Sequence, residues 1–190
     1  MGDPVRPQVV KLFTGVLCGK PELLADIRQL MEQEFGAVDY VSPSFPFDLT
    51  NYYESEMGKG IERYFWSFER LIDPARLPDI KLLSNEIEDR FADTLGNRPV
   101  NLDPGYLDFY KMVLASVKER AQKIYLGKGI YADPTLHYLK GKWYAYDWSL
   151  PDFRPDTYHQ VFSEIRELYR LGLRNLKPDD IEYLWFDVPE

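Results

Sequence analysis

The pattern of apolar and polar residues predicts alternating strands and helices in the first half of the chain. Apolar runs rich in β-branched or aromatic residues indicate strands, and apolar residues repeating every three or four positions indicate amphipathic helices. In chain order these criteria predict a strand over 8–18, a helix over 21–36, strands over 37–41 and 61–68, a helix over 74–95 and a strand over 100–102. The order β-α-β-β-α-β is that of the split βαβ unit. We therefore expect an α+β fold with a ferredoxin-like βαββαβ core.

The second half of the chain predicts further strands and a last helix. The tripeptide Asp103-Pro104-Gly105 predicts a turn, and residues 106–118 form one long β-rich run. Residues 123–148 predict two or three short strands, which would extend a mostly antiparallel sheet. A C-terminal helix begins at Asp156 or Thr157 and covers one face. With no clear linker, we expect one domain over 1–190, with a flexible N-terminus (1–7) and a docking tail (176–190).

Composition narrows the class of protein. The 190 residues contain 23 Lys plus Arg and 31 Asp plus Glu, a formal charge of −8, which opposes DNA binding. Cys18 is the only cysteine, so an intrachain disulfide and a cysteine-based zinc cluster are excluded. No apolar run is long enough to span a membrane, and the N-terminus lacks the apolar region of a signal peptide. We expect a cytoplasmic protein that contacts neither DNA nor a membrane.

Familiar catalytic and nucleotide motifs are incomplete in this sequence. The segment Gly15–Pro21 is similar to a P-loop, but only three residues separate its glycines and Pro21 replaces the Mg²⁺-binding Ser or Thr. GxGxxG, GxSxG and NKxD motifs are absent. His137 and His159 are the only histidines and are too far apart in sequence to form a common zinc motif. These observations leave scattered polar residues as the candidates for chemistry.

Two acidic segments could contribute to a site. Glu54 and Glu56 would share one face if they lay in a strand, and together they could hold a cation. Alternatively, they belong to a solvated edge or turn. Asn101 and Asp103 flank the predicted turn, where Asp103 could equally do no more than bond its own backbone.

Other polar residues lie on predicted helices and strands. Lys81, Asn85 and Glu88 form a polar stripe beside the apolar face of the helix over 74–95, and this stripe could also be a solvent face. Ser116 with Lys118, and Asp133 with Thr135, each share one face of a predicted strand. Their role stays open at this level.

The same residues lie in five segments that carry a family resemblance. The segments are TNYYESEMG (50–58), IKLLSNEIE (80–88), VNLDPGYL (100–107), KMVLASVKERAQKIYLGKGIYADPTLHY (111–138) and WSLPDFR (148–154). Through them the chain resembles the uncharacterised prokaryotic proteins catalogued as domain of unknown function 4416, some of which carry the label GTP-binding protein. In that family a Thr often stands where Ser84 is, and a Glu where Asp133 is. The resemblance implies no activity, but it implies that these polar segments line one pocket.

The first functional hypothesis is a pocket for a small phosphorylated or nucleotide ligand, with Mg²⁺ as a potential cofactor. Glu54, Glu56 and Asp103 would hold the cation, because carboxylate oxygens suit Mg²⁺. Lys81 and Lys118 would contact phosphate oxygens. Tyrosine rings would stack on a base, and further polar residues would complete the pocket: Tyr53, Tyr106 and Tyr131, with Asn51, Asn85, Asn101, Asp133 and Thr135. Whether such a protein is an enzyme stays open.

Two alternatives remain. A non-catalytic interaction or self-associating protein would use exposed aromatic residues such as Tyr144, Tyr146 and Trp148, and the aromatic tail, giving a homo-oligomer or another complex. RNA binding on an open sheet face ranks last, because the net charge opposes it and the aromatic-basic RNA-binding pattern is absent.

Overall fold

The computed structural model describes residues 2–3, 5–48, 50 and 52–177. The predicted contact of Asn51 and most of the predicted docking tail (178–190) lie outside these residues. The strands are β1 (Val10–Cys18), β2 (Val38–Val41), β3 (Phe45–Pro46), β4 (Glu62–Ile72), β5 (Val100–Leu107), β6 (Lys111–Ser116), β7 (Ile124–Gly127), β8 (Ile130–Leu139) and β9 (Lys142–Ala145). The helices are α1 (Leu24–Phe35), α2 (Glu54–Met57), α3 (Leu77–Arg90) and α4 (His159–Asn175).

The nine strands of the described residues join one antiparallel sheet. The main strand order is β2-β4-β1-β5-β6-β8-β7, and β3 and β9 pair with β4 and β8 respectively. The predicted α+β class, the antiparallel sheet and the C-terminal helix are therefore confirmed. Within the described chain, no helix combines the length and apolarity needed to cross a bilayer.

Helices cover both faces of the central strands. Side chains alternate across a strand, so Leu12 and Val16 on β1 pack with α1 and α3, whereas Phe13 packs with α4. We call these the α1/α3 face and the α4 face. The core of the α4 face is aromatic: Phe65 makes edge-to-face contacts with Tyr158 at 4.8 Å and with Phe162 at 5.1 Å between ring centroids. This accounts for much of the aromatic content of the chain.

The Asp103-Pro104-Gly105 segment is not the turn that the sequence predicts, because it lies inside β5. Strand edges alternate with a period of two, so the nitrogen of Pro104 points to the same edge as the N–H of Leu102, away from β1. Pairing with β6 starts only at Gly105. A proline, which lacks an N–H, is therefore tolerated at this position.

One other prediction is wrong, and the condition under which Glu54 and Glu56 would share a face is not met. The single strand over 106–118 is interrupted by a turn, because the Asp108 side chain accepts hydrogen bonds from the backbone N–H groups of Tyr110 (2.7 Å) and Lys111 (2.8 Å). Glu54 and Glu56 lie on α2 rather than in a strand, and residues two apart on a helix do not share a face. The turn at Asp108 lies within a run of apolar residues, so the pattern predicts one uninterrupted strand there.

Candidate functional site

Charged side chains meet on the α4 face of the central strands, beside Gly15. Gly15 on β1 lies opposite Phe65 on β4 and Asp103 on β5. A Cβ atom at Gly15 would lie 3.1 Å from Nη1 of Arg63 and 3.8 Å from Cβ of Asp103. The missing side chain of Gly15 thus leaves the space that the Arg63 guanidinium occupies.

Arg63 is nearly inaccessible, with 4% of its side chain exposed, and aromatic rings surround it. Its guanidinium carbon lies 4.9 Å from the ring centroid of Phe47 and 5.6 Å from that of Phe153. Nη2 lies 3.0 Å from Oδ2 of Asp152, an ion-pair distance. Neither Nε of Arg63 nor Oδ2 of Asp152 has a hydrogen-bond partner among the described residues, so this pair lacks hydrogen-bond geometry. A buried guanidinium therefore keeps a donor unused.

Tyr53 and Asp103 complete this group, which we call the Arg63 cluster (Tyr53, Arg63, Asp103 and Asp152). Burial raises the pKa of Asp152, against the opposing effect of Arg63, and Asp103 raises that pKa further. Burial also raises the pKa of Tyr53, again with a contribution from Asp103. The side chain of Asp103 is 30% exposed, so it is the most accessible of the charged members. The cluster thus combines a buried cation, two acids and a phenol.

A second group of charges fastens α3 to the free edge of β5. The Nζ of Lys81 donates to the carbonyl oxygen of Leu102 at 2.7 Å, and the N–H of Leu102 donates to Oε1 of Glu88 at 2.6 Å. Two side chains of a helix thereby take the place of a neighbouring strand. Lys81 also lies 3.7 Å from Oδ1 of Asp103, which links this edge to the Arg63 cluster.

The edge group continues to α2 through an arginine. Arg98 donates from Nη1 to Glu88 at 2.6 Å and from Nε to Glu56 at 2.9 Å. Burial raises the pKa of Glu88 to about 7, although Lys81, the Leu102 N–H and Arg98 all favour the charged form. Glu56 on α2 is therefore paired with Arg98, which also binds Glu88 on α3 and so links the two helices.

A third polar group lies farther across the sheet on β6 and β8. The Nζ of Lys123 lies 3.1 Å from Oδ2 of Asp133 and donates to the Ser116 hydroxyl at 2.7 Å. Asp133 is buried, and its Oδ1 accepts from Gln122 at 3.4 Å. Asp133 pairs with Leu114, which pairs with Gly105 on β5, so this group lies about two strand spacings, or ~10 Å, from β5.

Tyr52 and Lys118 connect the third group to the first. The Nζ of Lys118 lies 5.2 Å from the ring centroid of Tyr52, and the rings of Tyr52 and Tyr53 are 5.0 Å apart. The 116–123 segment is thus joined to the Arg63 cluster by two contacts. Together these groups form a polar border beside the buried guanidinium. Tyr52 and Lys118 in this border are exposed, whereas Lys81, Glu88 and Asp133 are buried.

The structure brings together several of the residues singled out from the sequence. Tyr53, Lys81, Asn101 and Asp103 lie together, with the amide of Asn101 donating to Asp103 at 2.8 Å. Lys118 and Asp133 lie at the border described above. Tyr131 pairs with Ser116 across β6 and β8, and its ring contacts Tyr125. Thr135 is buried and donates to the backbone oxygen of Asp133.

The other predicted residues have no recorded side-chain contact with the Arg63 cluster in the described chain. Tyr106 packs on the α1/α3 face of the sheet, whereas Asp103 lies on the α4 face. Asn85 is half-buried on α3. In the described ranges, no three or more His, Cys, Asp or Glu side chains are grouped to hold a metal ion. Glu54 is exposed at the start of α2.

Sequence reasoning missed three central residues. Arg63 lies within an apolar strand, and its charge amid aromatic residues was the available signal. Asp152 lies in the WSLPDFR segment but was not selected, because nothing local marks it. Arg98 follows a turn, where a basic residue is ordinary. Each gains its role from partners that are distant in sequence.

Comparison with known families identifies the family to which the chain belongs. A family model described as Domain of unknown function (DUF4416) matches residues 8–169. The chain belongs to this family. No curated protein and no solved structure matches it. The matched range of this DUF4416 protein contains the Arg63 cluster, the β5 edge and the Asp133 group.

Proposed function

We propose that the Arg63 cluster and its polar border bind a small phosphorylated or nucleotide ligand. The observation that carries this proposal is the unused Nε–H of the buried Arg63. Leaving a buried polar group unsatisfied costs about 1–3 kcal/mol, which a ligand oxygen would recover. Arginine suits this task because its planar donors match phosphate oxygens.

The surroundings of Arg63 support the same class of ligand. Lys118 at the border adds a cation, and the rings of Tyr52 and Tyr53 offer stacking surfaces for a base. Asp103 and Asp152 would repel a bare phosphate. Mg²⁺ carried in with the ligand would reduce this repulsion, since two carboxylates and phosphate oxygens are its usual partners. Guanine specificity has no support beyond this general chemistry.

A thermal-shift screen tests the proposal directly. Nucleotides, sugar phosphates and inorganic phosphate are each added to the full chain with and without Mg²⁺. A ligand at 100 times its Kd stabilises the native state by about 2.7 kcal/mol. For a chain of this size we expect the melting temperature to rise by about 5 °C or more.

The substitution Arg63→Lys tests whether a ligand found in the screen binds at the Arg63 cluster. The substitution keeps the charge beside Asp152 but removes the Nε–H and the planar fork, so we expect binding of the best ligand to weaken about tenfold or more. Arg28→Lys is the control, because Arg28 lies on α1 in a partly exposed ion pair with Glu32. Equal affinity of the two variants would contradict the proposal.

A second candidate function is association through exposed aromatic and apolar side chains. Tyr144 and Trp148 are 44% and 45% exposed, and Ile124 and Tyr125 are exposed on β7, an edge strand. Light scattering after size-exclusion chromatography tests self-association. A monomer over the whole concentration range would oppose it. RNA binding has weaker support, because helices cover both faces of the central strands.

We also infer that the first half of the chain forms a ferredoxin-like unit. Support comes from the order β2-β4-β1-β5, from the antiparallel pairing of these neighbours, and from α1 and α3 packing on one face. In such a unit the opposite face is free for other elements, and here it holds Arg63 and Asp103.

A further inference from the structure

A groove of about 490 Å³ lies between β9 and the start of α4, lined by other residues than the Arg63 cluster. Five consecutive residues, 141–145, border it on one side. Because successive side chains point to opposite faces, a run of consecutive residues means that the edge of β9 borders the groove. On the other side are His159, Gln160 and Ser163. Its volume is in the range of small-molecule sites.

Two residues that line this groove each carry a buried ring nitrogen without a hydrogen-bond partner in the described part of the chain. Trp143 is 2% exposed, and its indole Nε1, which can only donate, has no acceptor. The Nε2 of His159 is also buried without a partner. Its Nδ1 lies 3.1 Å from Oδ1 of Asp156. An imidazole whose single proton is on Nδ1, facing this carboxylate, would present Nε2 as an acceptor.

The remaining polar residues of the groove favour an anion. Lys142 and Arg154 line it with Asp156 as the only carboxylate among its lining residues. Arg154 is held in place by donating to the carbonyl oxygens of Ser149 and Asp147, both at 3.0 Å. Gln160 adds an amide donor. The free edge of β9 also presents backbone donors and acceptors to the groove.

We propose that this groove binds a small hydroxylated organic anion. Its carboxylate or phosphate oxygens would accept from Lys142, Arg154 and the Trp143 indole, and a hydroxyl would donate to Nε2 of His159. A hydroxycarboxylate and a sugar phosphate share this chemistry. The proposal does not depend on the function proposed for the Arg63 cluster.

The indole N–H of Trp143 provides a site-specific signal. In a ¹H–¹⁵N spectrum of the full chain, Trp143→Phe identifies this signal by its loss. Titration with citrate, glucose 6-phosphate and inorganic phosphate then shows which anion binds. We expect citrate or glucose 6-phosphate to shift the Trp143 signal while the Trp66 indole, on the α1/α3 face, does not move. Inorganic phosphate lacks the carbon-bound hydroxyl and should bind at least about fivefold more weakly.

Lys142→Ala tests the same site without disturbing the core, because Lys142 is exposed. We expect the Lys142→Ala variant to bind the anion that shifts the Trp143 signal at least about fivefold more weakly than the native chain does. Lys59→Ala removes an exposed lysine outside the groove and should bind normally. A Trp143 signal that none of the three anions moves, or an unchanged affinity in Lys142→Ala, would overturn the proposal. Arg63→Lys should leave this titration unchanged, because Arg63 does not line the groove. The two sites are therefore tested separately.

Discussion

Two glycines on adjacent strands show how single residues control the candidate site. A Cβ atom at Gly105 would lie 2.5 Å from the carbonyl oxygen of Val113 and 2.8 Å from Cζ of Phe13, both firmly packed. At Gly15 the nearest atom is Nη1 of Arg63, the end of a long side chain. Gly105 therefore serves packing between β5 and β6, whereas Gly15 serves the placement of the guanidinium.

Alanine substitution should distinguish these roles. We expect Gly105→Ala to lower the free energy of unfolding by about 1–3 kcal/mol, because backbone atoms must move. Gly15→Ala should change it by less than about 1 kcal/mol, since alanine also suits a strand better than glycine. It should nevertheless weaken ligand binding by displacing Arg63. Urea unfolding and a binding titration measure both effects, and normal binding by Gly15→Ala would count against the role assigned to Arg63.

At the residue level, the sequence predicted several members of the site but not its centre. Lys81, Asn101 and Asp103 were identified because polar residues stood out beside apolar stripes or in an apparent turn. Arg63 could not be assigned, since an isolated arginine in a strand is compatible with solvent exposure as well as burial. Its environment depends on β1, on α4 and on the 151–153 turn together.

At the element level, the β5 edge shows how a helix can replace a strand. Lys81 and Glu88 are seven residues apart on α3, two helical turns, and both reach Leu102. Helices and strands with strong periodicity were predicted well, as for α1 and β1. The boundaries that the sequence predicts wrongly depend on long-range pairing. The sequence of β5 contains a turn-like tripeptide, which pairing with β1 keeps extended.

Glu88 should make this edge sensitive to pH. Its folded pKa of about 7 exceeds the ordinary value of about 4.3, so the native state binds more protons than the unfolded state between these values. Its contribution to stability is therefore present below about pH 4 and is lost as the pH rises through 7. We expect the free energy of unfolding of the native chain, minus that of Glu88→Gln, to decrease from pH 5 to pH 8.

Urea unfolding of both proteins at several pH values measures this difference. The glutamine variant serves as its own reference for all other titrating groups, because only position 88 differs. If the native chain instead gains stability over Glu88→Gln as the pH rises, Lys81 and Arg98 outweigh burial. They would then hold the pKa of Glu88 in the folded state below its value in the unfolded state. That result would contradict the assigned protonation.

At the scale of the whole molecule, the site is assembled from four distant segments. Tyr53 precedes β4, Arg63 lies on β4, Asp103 on β5 and Asp152 in the turn before α4. Sequence patterns gave the element types, but the register that places Gly15 beside Asp103 is set by the complete sheet. The family resemblance predicts that the signature segments line one pocket. The structure places Tyr53, Lys81, Asn101 and Asp103 close together and Tyr106 on the opposite face, so the single pocket stays a prediction.

The central claim is that the unused donor of Arg63 receives a ligand oxygen. A crystal structure of the full chain with the strongest phosphorylated ligand from the screen tests it most directly. We predict a phosphate oxygen within hydrogen-bond distance of the Arg63 guanidinium, with Gly15 beneath it and Tyr53 beside it. A ligand bound elsewhere, with the Arg63 Nε already paired to the protein, would contradict the account.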